Sequence, residues 1–185
     1  MEVAIIGGEI TGISTADQLK NNGFATTVLV SGKIGYGTTG QSTGNLYINI
    51  EELLVSLKEK FDEDVIHMVI QARKKAFDVI QSNVWDYQIN RDFNEQPIFI
   101  FGEESSASLN ISDELELDKK LNISAFEIQR QAPFYLPIPE YEPAQFNPLL
   151  YTQGLALEVQ ERNTCTIYER TRVHSIKKVN DYYAI

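Results

Sequence analysis

The sequence predicts an α/β fold with a parallel βαβ core, and three observations predict it. A short apolar run, EVAII at residues 2–6, stops at Gly7-Gly8. Residues 11–22 (TGISTADQLKNN) then carry Ile13, Ala16 and Leu19 at helical spacing. After Gly23, which suits a helix terminus, ATTVLV at 25–30 is a β-branched run that reads as a second strand. Parallel strands joined by one helix form a unit of fixed hand, with its ligand beyond the strand ends.

At 185 residues the chain is long enough for one ordinary domain or two small interleaved ones. Hydrophobic residues at 43% and charged residues at 23% exclude disordered and fibrous classes. Twenty-six acidic against 16 basic residues, a net charge of −10, speak against a nucleic-acid partner, because phosphate binding needs a basic surface to displace counterions. Cys165 is the only cysteine, so there is no internal disulfide or cysteine metal cluster, and a small buried hydrophobe is expected there. No basic leader precedes the first strand, and no apolar run approaches the ~18 residues of a membrane span. The cytoplasm is the expected compartment.

Residues 31–47 hold five glycines and almost no periodicity, which predicts a long functional loop. From Glu51 to Trp85, the positions Leu53, Leu54, Leu57, Phe61, Val65, Met68, Val69, Ala72, Ala76, Phe77, Ile80 and Val84 predict two amphipathic helices, broken near Asp62-Glu63-Asp64. PIFIF at 97–101 predicts an edge strand, and 112–121 a short charged helix. Four prolines make 133–143 an extended connector. Asn147-Pro148 predicts an N-cap and first helical residue, with Leu149, Leu150, Leu155, Leu157 and Val159 carrying the helix to about Arg162. TCTIYE and VHSIKKV close the chain as strands.

Gly7-Gly8-Glu9-Ile10-Thr11-Gly12 matches the dinucleotide fingerprint G-x-G-x-x-G between a strand and a helix. Gly7 fits the tight turn and Gly12 the close approach of helix to strand, giving a Rossmann-like core. Glu9 stands where the pattern has glycine, and its charge opposes an anion at the helix start. Like charges about 4 Å apart repel by roughly 1 kcal/mol in water and more in a drier site. The second strand ends Val28-Leu29-Val30-Ser31 without the acid that would bond a ribose hydroxyl, leaving Ser31 to make a neutral bond.

These residues, with KIGYGTTGQSTGNL at 33–46 and AQFNPLLYTQGLA at 144–156, resemble the FAD-dependent oxidoreductases of the D-amino acid oxidase type. Glycine oxidase, sarcosine oxidase and gamma-glutamylputrescine oxidase are members. The resemblance implies an FAD-binding domain over 1–48 and 143–185, interrupted at 49–142 by a helical, substrate-domain-like α+β insertion. It implies FAD held by Gly7, Gly8, Ile10, Thr11 and Gly12 at the pyrophosphate, with Ser31 and Lys33 nearby. Thr39, Gly40, Gln41 and Ser42 would lie beside the flavin, and the Val173 backbone at the adenine. Lys33 is placed to offset Glu9. The family has glycine at Glu9 and an acid at Val30, and runs about twice this length, so the chain looks like an N-terminal half. Two functional readings follow: oxidation of a small amine or amino acid, in which the flavin performs the hydride chemistry and no catalytic residue is named; or a non-catalytic shortened relative that has lost FAD and works through protein contacts. A second chain or self-association would cover the missing half.

Other candidates have plainer roles. His67 and His174 are isolated, so no metal is expected. Asp62, Glu63 and Asp64 complement a helix dipole, and Arg73-Lys74-Lys75 make a solvated face. Phe134, Tyr135, Tyr141, Phe146 and Tyr151 cluster around the connector, either packing it over the core or lining a pocket.

Overall fold

The computed structural model describes residues 2–46, 54–89, 92–95, 105–121, 144–161 and 165–185. The chain divides into two compact units: Met1–Gly44, Asn83–Arg91 and Asn147–Ile185 form the first, and Asn45–Ser82 and Asp92–Phe146 the second. The predicted strands at 97–101 and the connector at 133–143, with Phe134, Tyr135 and Tyr141, lie outside the described residues.

The first unit is built on three parallel strands, β1 (Val3–Ile6), β2 (Thr26–Leu29) and β6 (Cys165–Tyr168), in the order β1-β2-β6. Val3 pairs with Thr26, and Thr26 with Cys165 on its other side. A central strand buried on both faces needs a run of β-branched residues, and in TTVL Val28 and Thr26 are buried. Helix α1 (Ile10–Asn21) follows β1 and ends where Gly23, at φ +83°, turns the chain. There the Gly23 N–H donates to the Lys20 carbonyl at 2.9 Å and the Phe24 N–H to the Leu19 carbonyl at 3.0 Å, satisfying two of the orphan carbonyls of the last turn.

Helix α5 (Pro148–Glu161) precedes β6 and opens with proline at its first position; the Asn147 Oδ1 accepts the Leu150 N–H at 3.1 Å. Against α1 it buries Tyr151, Leu155 and Val159, while Leu157 is 66% exposed. Between the two helices runs a buried polar network that the apolar pattern did not announce. Lys20 Nζ donates to the Glu158 carbonyl at 2.8 Å and pairs with its carboxylate at 3.4 Å. The Tyr87 hydroxyl donates to Asp17 at 3.2 Å, and Asn83 Nδ2 donates to the Tyr151 hydroxyl at 3.0 Å. Tyr151 is therefore a core residue with a satisfied hydroxyl. Cys165 is buried as a free thiol.

After Tyr168 the chain leaves the sheet. Arg170 adopts φ +52°, and the N–H groups of Arg170 and Thr171 donate to the Gly32 and Val30 carbonyls. VHSIKKV is consequently strand only at β7 (Lys177–Val179), which pairs antiparallel with β8 (Tyr182–Ala184). Ile176, Val179, Tyr182 and Tyr183 are all exposed.

The second unit contains β3 (Asn45–Leu46), β4 (Asn94–Glu95) and β5 (Ala144–Gln145), antiparallel in the order β3-β5-β4. It also contains α2 (Leu54–Lys58), α4 (Ser105–Lys120) and most of α3 (Glu63–Asp86), whose last turn lies in the first unit. The break before α3 falls at the predicted acidic cluster, where Glu63 and Asp64 open the helix. The buried stripe is Leu54, Leu57, Ile66 and Ile70, packed with Leu117 and Leu121. Phe61 and Met68 were expected in that stripe, but they are 51% and 62% exposed: Phe61 falls in the turn between α2 and α3, and the face of α3 that turns inward carries Ile66 and Ile70 instead of Met68. Helix α4 begins earlier than expected, since neither proline nor glycine interrupts residues 105–120.

Helix α4 presents two acids inward with its leucines. Glu114 is 1% exposed, and its two carboxylate oxygens accept the Leu54 N–H at 2.7 Å and the Val55 N–H at 2.9 Å at the start of α2. Replacing Glu114 with alanine removes a charged cap and should lower the stability of the second unit by about 1–2 kcal/mol, read as a drop in its denaturant midpoint. An unchanged midpoint would show that the α2 amides find another partner.

Candidate functional site

The strand-turn-helix at β1 and α1 places the fingerprint residues at the C-terminal end of the parallel sheet, where an open α/β sheet receives ligands. Gly7 sits at φ +118°, in the region that favours glycine. Gly12 is required by contact: a Cβ there would lie 2.1 Å from the Gly7 carbonyl oxygen. The first helical hydrogen bond runs from the Ile13 N–H to the Glu9 carbonyl at 3.1 Å, so the N–H groups ahead of it point out of the helix.

The second glycine loop folds onto this turn. The Gly35 N–H donates to the Gly8 carbonyl at 2.9 Å, and the Ile10 N–H donates to Thr39 Oγ1 at 3.1 Å. Glu9 completes the junction: its Oε1 accepts the Gly37 N–H at 2.9 Å and its Oε2 the Thr39 N–H at 2.8 Å. Burial pushes this carboxyl up, but hydrogen bonds from the Thr39 side chain and from the Thr39 and Gly37 amides outweigh it and hold the group below the usual carboxylate range. Sequence reasoning placed Glu9 against an incoming anion and Lys33 as its counter-charge. Instead Lys33 Nζ lies 5.5 Å from the centre of the Tyr36 ring, and backbone amides stabilise the charged carboxylate of Glu9. The physical reason is reach: the loop amides are fixed within bonding distance of the carboxylate, whereas an exposed lysine gains little by ordering its long side chain.

The far side of the site is formed where β2 and β6 end. Val30 is 4% exposed, and its methyl groups would lie 2.6 and 2.8 Å from a Cβ on Gly8. Ser31 is exposed beside it. Glu169, which the sequence reading did not single out, accepts the Ile34 N–H at 2.8 Å and so brings a carboxylate to the loop after β2 from the neighbouring strand. The only sequence signal for it was its place at the end of the predicted strand TCTIYE. Gly40, Gln41 and Ser42 are exposed on the short 3₁₀ turn at 39–41 and just after it, and Val173 is half-buried two residues beyond the Thr171 N–H that bonds Val30. His67 and His174 are exposed, and among the described residues no three His, Cys, Asp or Glu side chains gather as a metal site. No described helix is long and apolar enough to cross a membrane.

A glycine turn at the carboxyl end of a parallel βαβ sheet, roofed by a second glycine loop, defines the dinucleotide-binding class of α/β proteins. The family described as FAD dependent oxidoreductase (DAO) matches residues 2–184, and the chain belongs to it. It is 29% identical over 185 residues to the "Putative Rieske 2Fe-2S iron-sulfur protein YhfW" of Bacillus subtilis, covering 96% of this chain and 35% of that protein. It is 26% identical over 99 residues to gamma-glutamylputrescine oxidoreductase of Escherichia coli, covering 54% of this chain and 23% of that one. The structure of L-proline dehydrogenase from P. horikoshii superposes with a TM-score of 0.78 at 15% identity, over 98% of this chain and 47% of that chain. The chain thus spans about a third of the first of these relatives and about half of the solved structure.

Proposed function

We propose that this chain is the FAD-binding N-terminal part of an oxidoreductase that oxidises a small amine or amino acid. One observation carries the reading: a pair of anionic oxygens, those of Glu9, already rests on loop amides at the mouth of the glycine turn, so the backbone there is shaped to receive oxyanions. Gly7, Gly8, Ile10, Thr11 and Gly12 would hold the pyrophosphate; Ser31 and Lys33 would lie toward the adenosine, Thr39, Gly40, Gln41 and Ser42 toward the flavin, and Val173 at the adenine. FAD, when bound, accepts the hydride. This chain's residues bind and orient it, and the substrate class is taken from relatives named for gamma-glutamylputrescine and L-proline. Residues 1–48 and 143–185 serve as the cofactor domain and 49–142 as the insertion on the substrate side. The exposed apolar residues of the β7–β8 hairpin offer a surface for the portion that relatives possess beyond this length, on the same chain or a second one. The compartment proposed for the chain is the cytoplasm, where proteins without disulfides are the rule.

Titrating the purified chain with FAD tests the proposal. A visible flavin band that co-elutes with the protein, together with quenched flavin fluorescence, is the expected result; a colourless chain that leaves FAD fluorescence unchanged rejects it. A second reading, a relative that has lost FAD, is favoured by Val30, buried over Gly8 where the family carries an acid. The same titration separates the two.

A further inference from the structure

Glu9 does something at this site that the glycine it replaces could not. Its carboxylate oxygens each take one amide of the second glycine loop, at 2.9 and 2.8 Å. The loop approaches it as closely as a backbone approaches a ligand: a Cβ on Gly37 would lie 2.7 Å from Oε1. Thr39, buried at 6% exposure, ties the same loop to the start of α1 through the Ile10 N–H. We propose that Glu9 is an internal ligand of the dinucleotide site, a carboxylate clasp that holds the Gly37 and Thr39 amides and must release them before the oxygens of a diphosphate can take them.

Two anions cannot share two amides, so clasp and ligand exclude one another. Glu9 has an ordinary extended backbone (φ −82°, ψ 175°), and the side chain is half-buried, so rotation about its own bonds carries the carboxylate to solvent without moving the turn. The released amides would then meet a ligand that brings its own negative charge, and the loop that now closes on Glu9 would close on the diphosphate instead. The identity of that ligand rests on the FAD reading above, whereas the clasp rests only on the bonds described here.

Amide hydrogen exchange at Gly37 and Thr39, followed by NMR on the full chain, tests it with inorganic pyrophosphate and FAD as probes at fixed ionic strength. In the unaltered protein both amides are protected. In Glu9→Ala their exchange should accelerate at least about tenfold, the loss of one charged hydrogen bond, and pyrophosphate should restore the protection. FAD affinity should rise in the variant by at least about the same factor. Equal exchange in the two proteins, or fast exchange in the variant that neither pyrophosphate nor FAD slows, overturns the proposal. Restoration by pyrophosphate but not by FAD sustains the clasp and rejects the FAD reading. Glu9→Gln, which keeps the side chain's size and one acceptor oxygen, gives the same readout if the alanine variant does not fold: one amide stays protected and the other is freed for pyrophosphate, and two fully protected amides that ignore pyrophosphate count against the clasp.

Discussion

Gly12→Ala should unfold the first unit or leave it on the edge of unfolding, at a cost of about 3 kcal/mol or more. The added methyl would sit 2.1 Å from the Gly7 carbonyl oxygen and 3.1 Å from its carbon, both backbone atoms of a turn already at φ +118°. Relief requires moving α1 away from β1, and α1 is held by the buried Ile13 and Ala16 and by the Lys20–Glu158 pair. Close-packed interiors resist such shifts. Gly8→Ala is the informative contrast: its clash is with the Val30 side chain, which has some freedom to yield. Denaturant unfolding checks both. A Gly12→Ala midpoint equal to that of the unaltered protein would show that the helix start is more plastic than its contacts imply.

Asp118 supplies the second large effect, and its sign depends on pH. The side chain is 1% exposed, neither carboxylate oxygen has a hydrogen-bond partner among the described residues, and Glu114 lies one helical turn away. Burial, with the Glu114 charge adding to it, pushes the carboxyl up to about 7 from 3.8. A folded-state value above the unfolded one means that the fold binds the proton more tightly. The resulting stability is fully present below the unfolded value of 3.8 and is lost as pH rises through about 7. Asp118→Asn cannot ionise. Its advantage over the unaltered protein should therefore be near zero at pH 4, grow through neutrality and level off above pH 8 at several kcal/mol. Urea titrations of both proteins at several pH values would measure that difference; one that stays constant with pH would mean that Asp118 keeps solvent contact in the fold.

The βαβ core was legible because each of its parts obeys a local rule: a β-branched run, a helix with apolar residues at three- and four-residue spacing, and a glycine at each change of direction. The end of α1 at Gly23 and the cap at Asn147 follow from chemistry confined to a few neighbouring residues. What was not legible depends on distant partners. Asp17 and Lys20 look like solvent-facing residues in the helix TGISTADQLKNN, and partners brought from far along the chain, Tyr87 for Asp17 and Glu158 for Lys20, offset the cost of their burial. Glu114 and Asp118 did carry a signal, since with Leu117 and Leu121 they share one helical face, but charge within a leucine stripe reads as an amphipathic boundary until the packing is seen. At the site, Glu9 was recognised as a departure from the pattern. That its carboxylate would be met by amides 28 and 30 residues later could not be read from either loop alone.

Strand β2 sits between β1 and β6, so Thr26 is paired on one side with Val3 and on the other with Cys165. A ribosome making this chain finishes the first two strands long before the third emerges, and until then the middle strand offers one row of unpaired peptide groups to whatever is nearby. Contacts of such sequence separation form late and slowly. The maturing polypeptide therefore passes through a window in which its apolar TTVL edge invites non-native pairing, and that window closes only with the synthesis of CTIY.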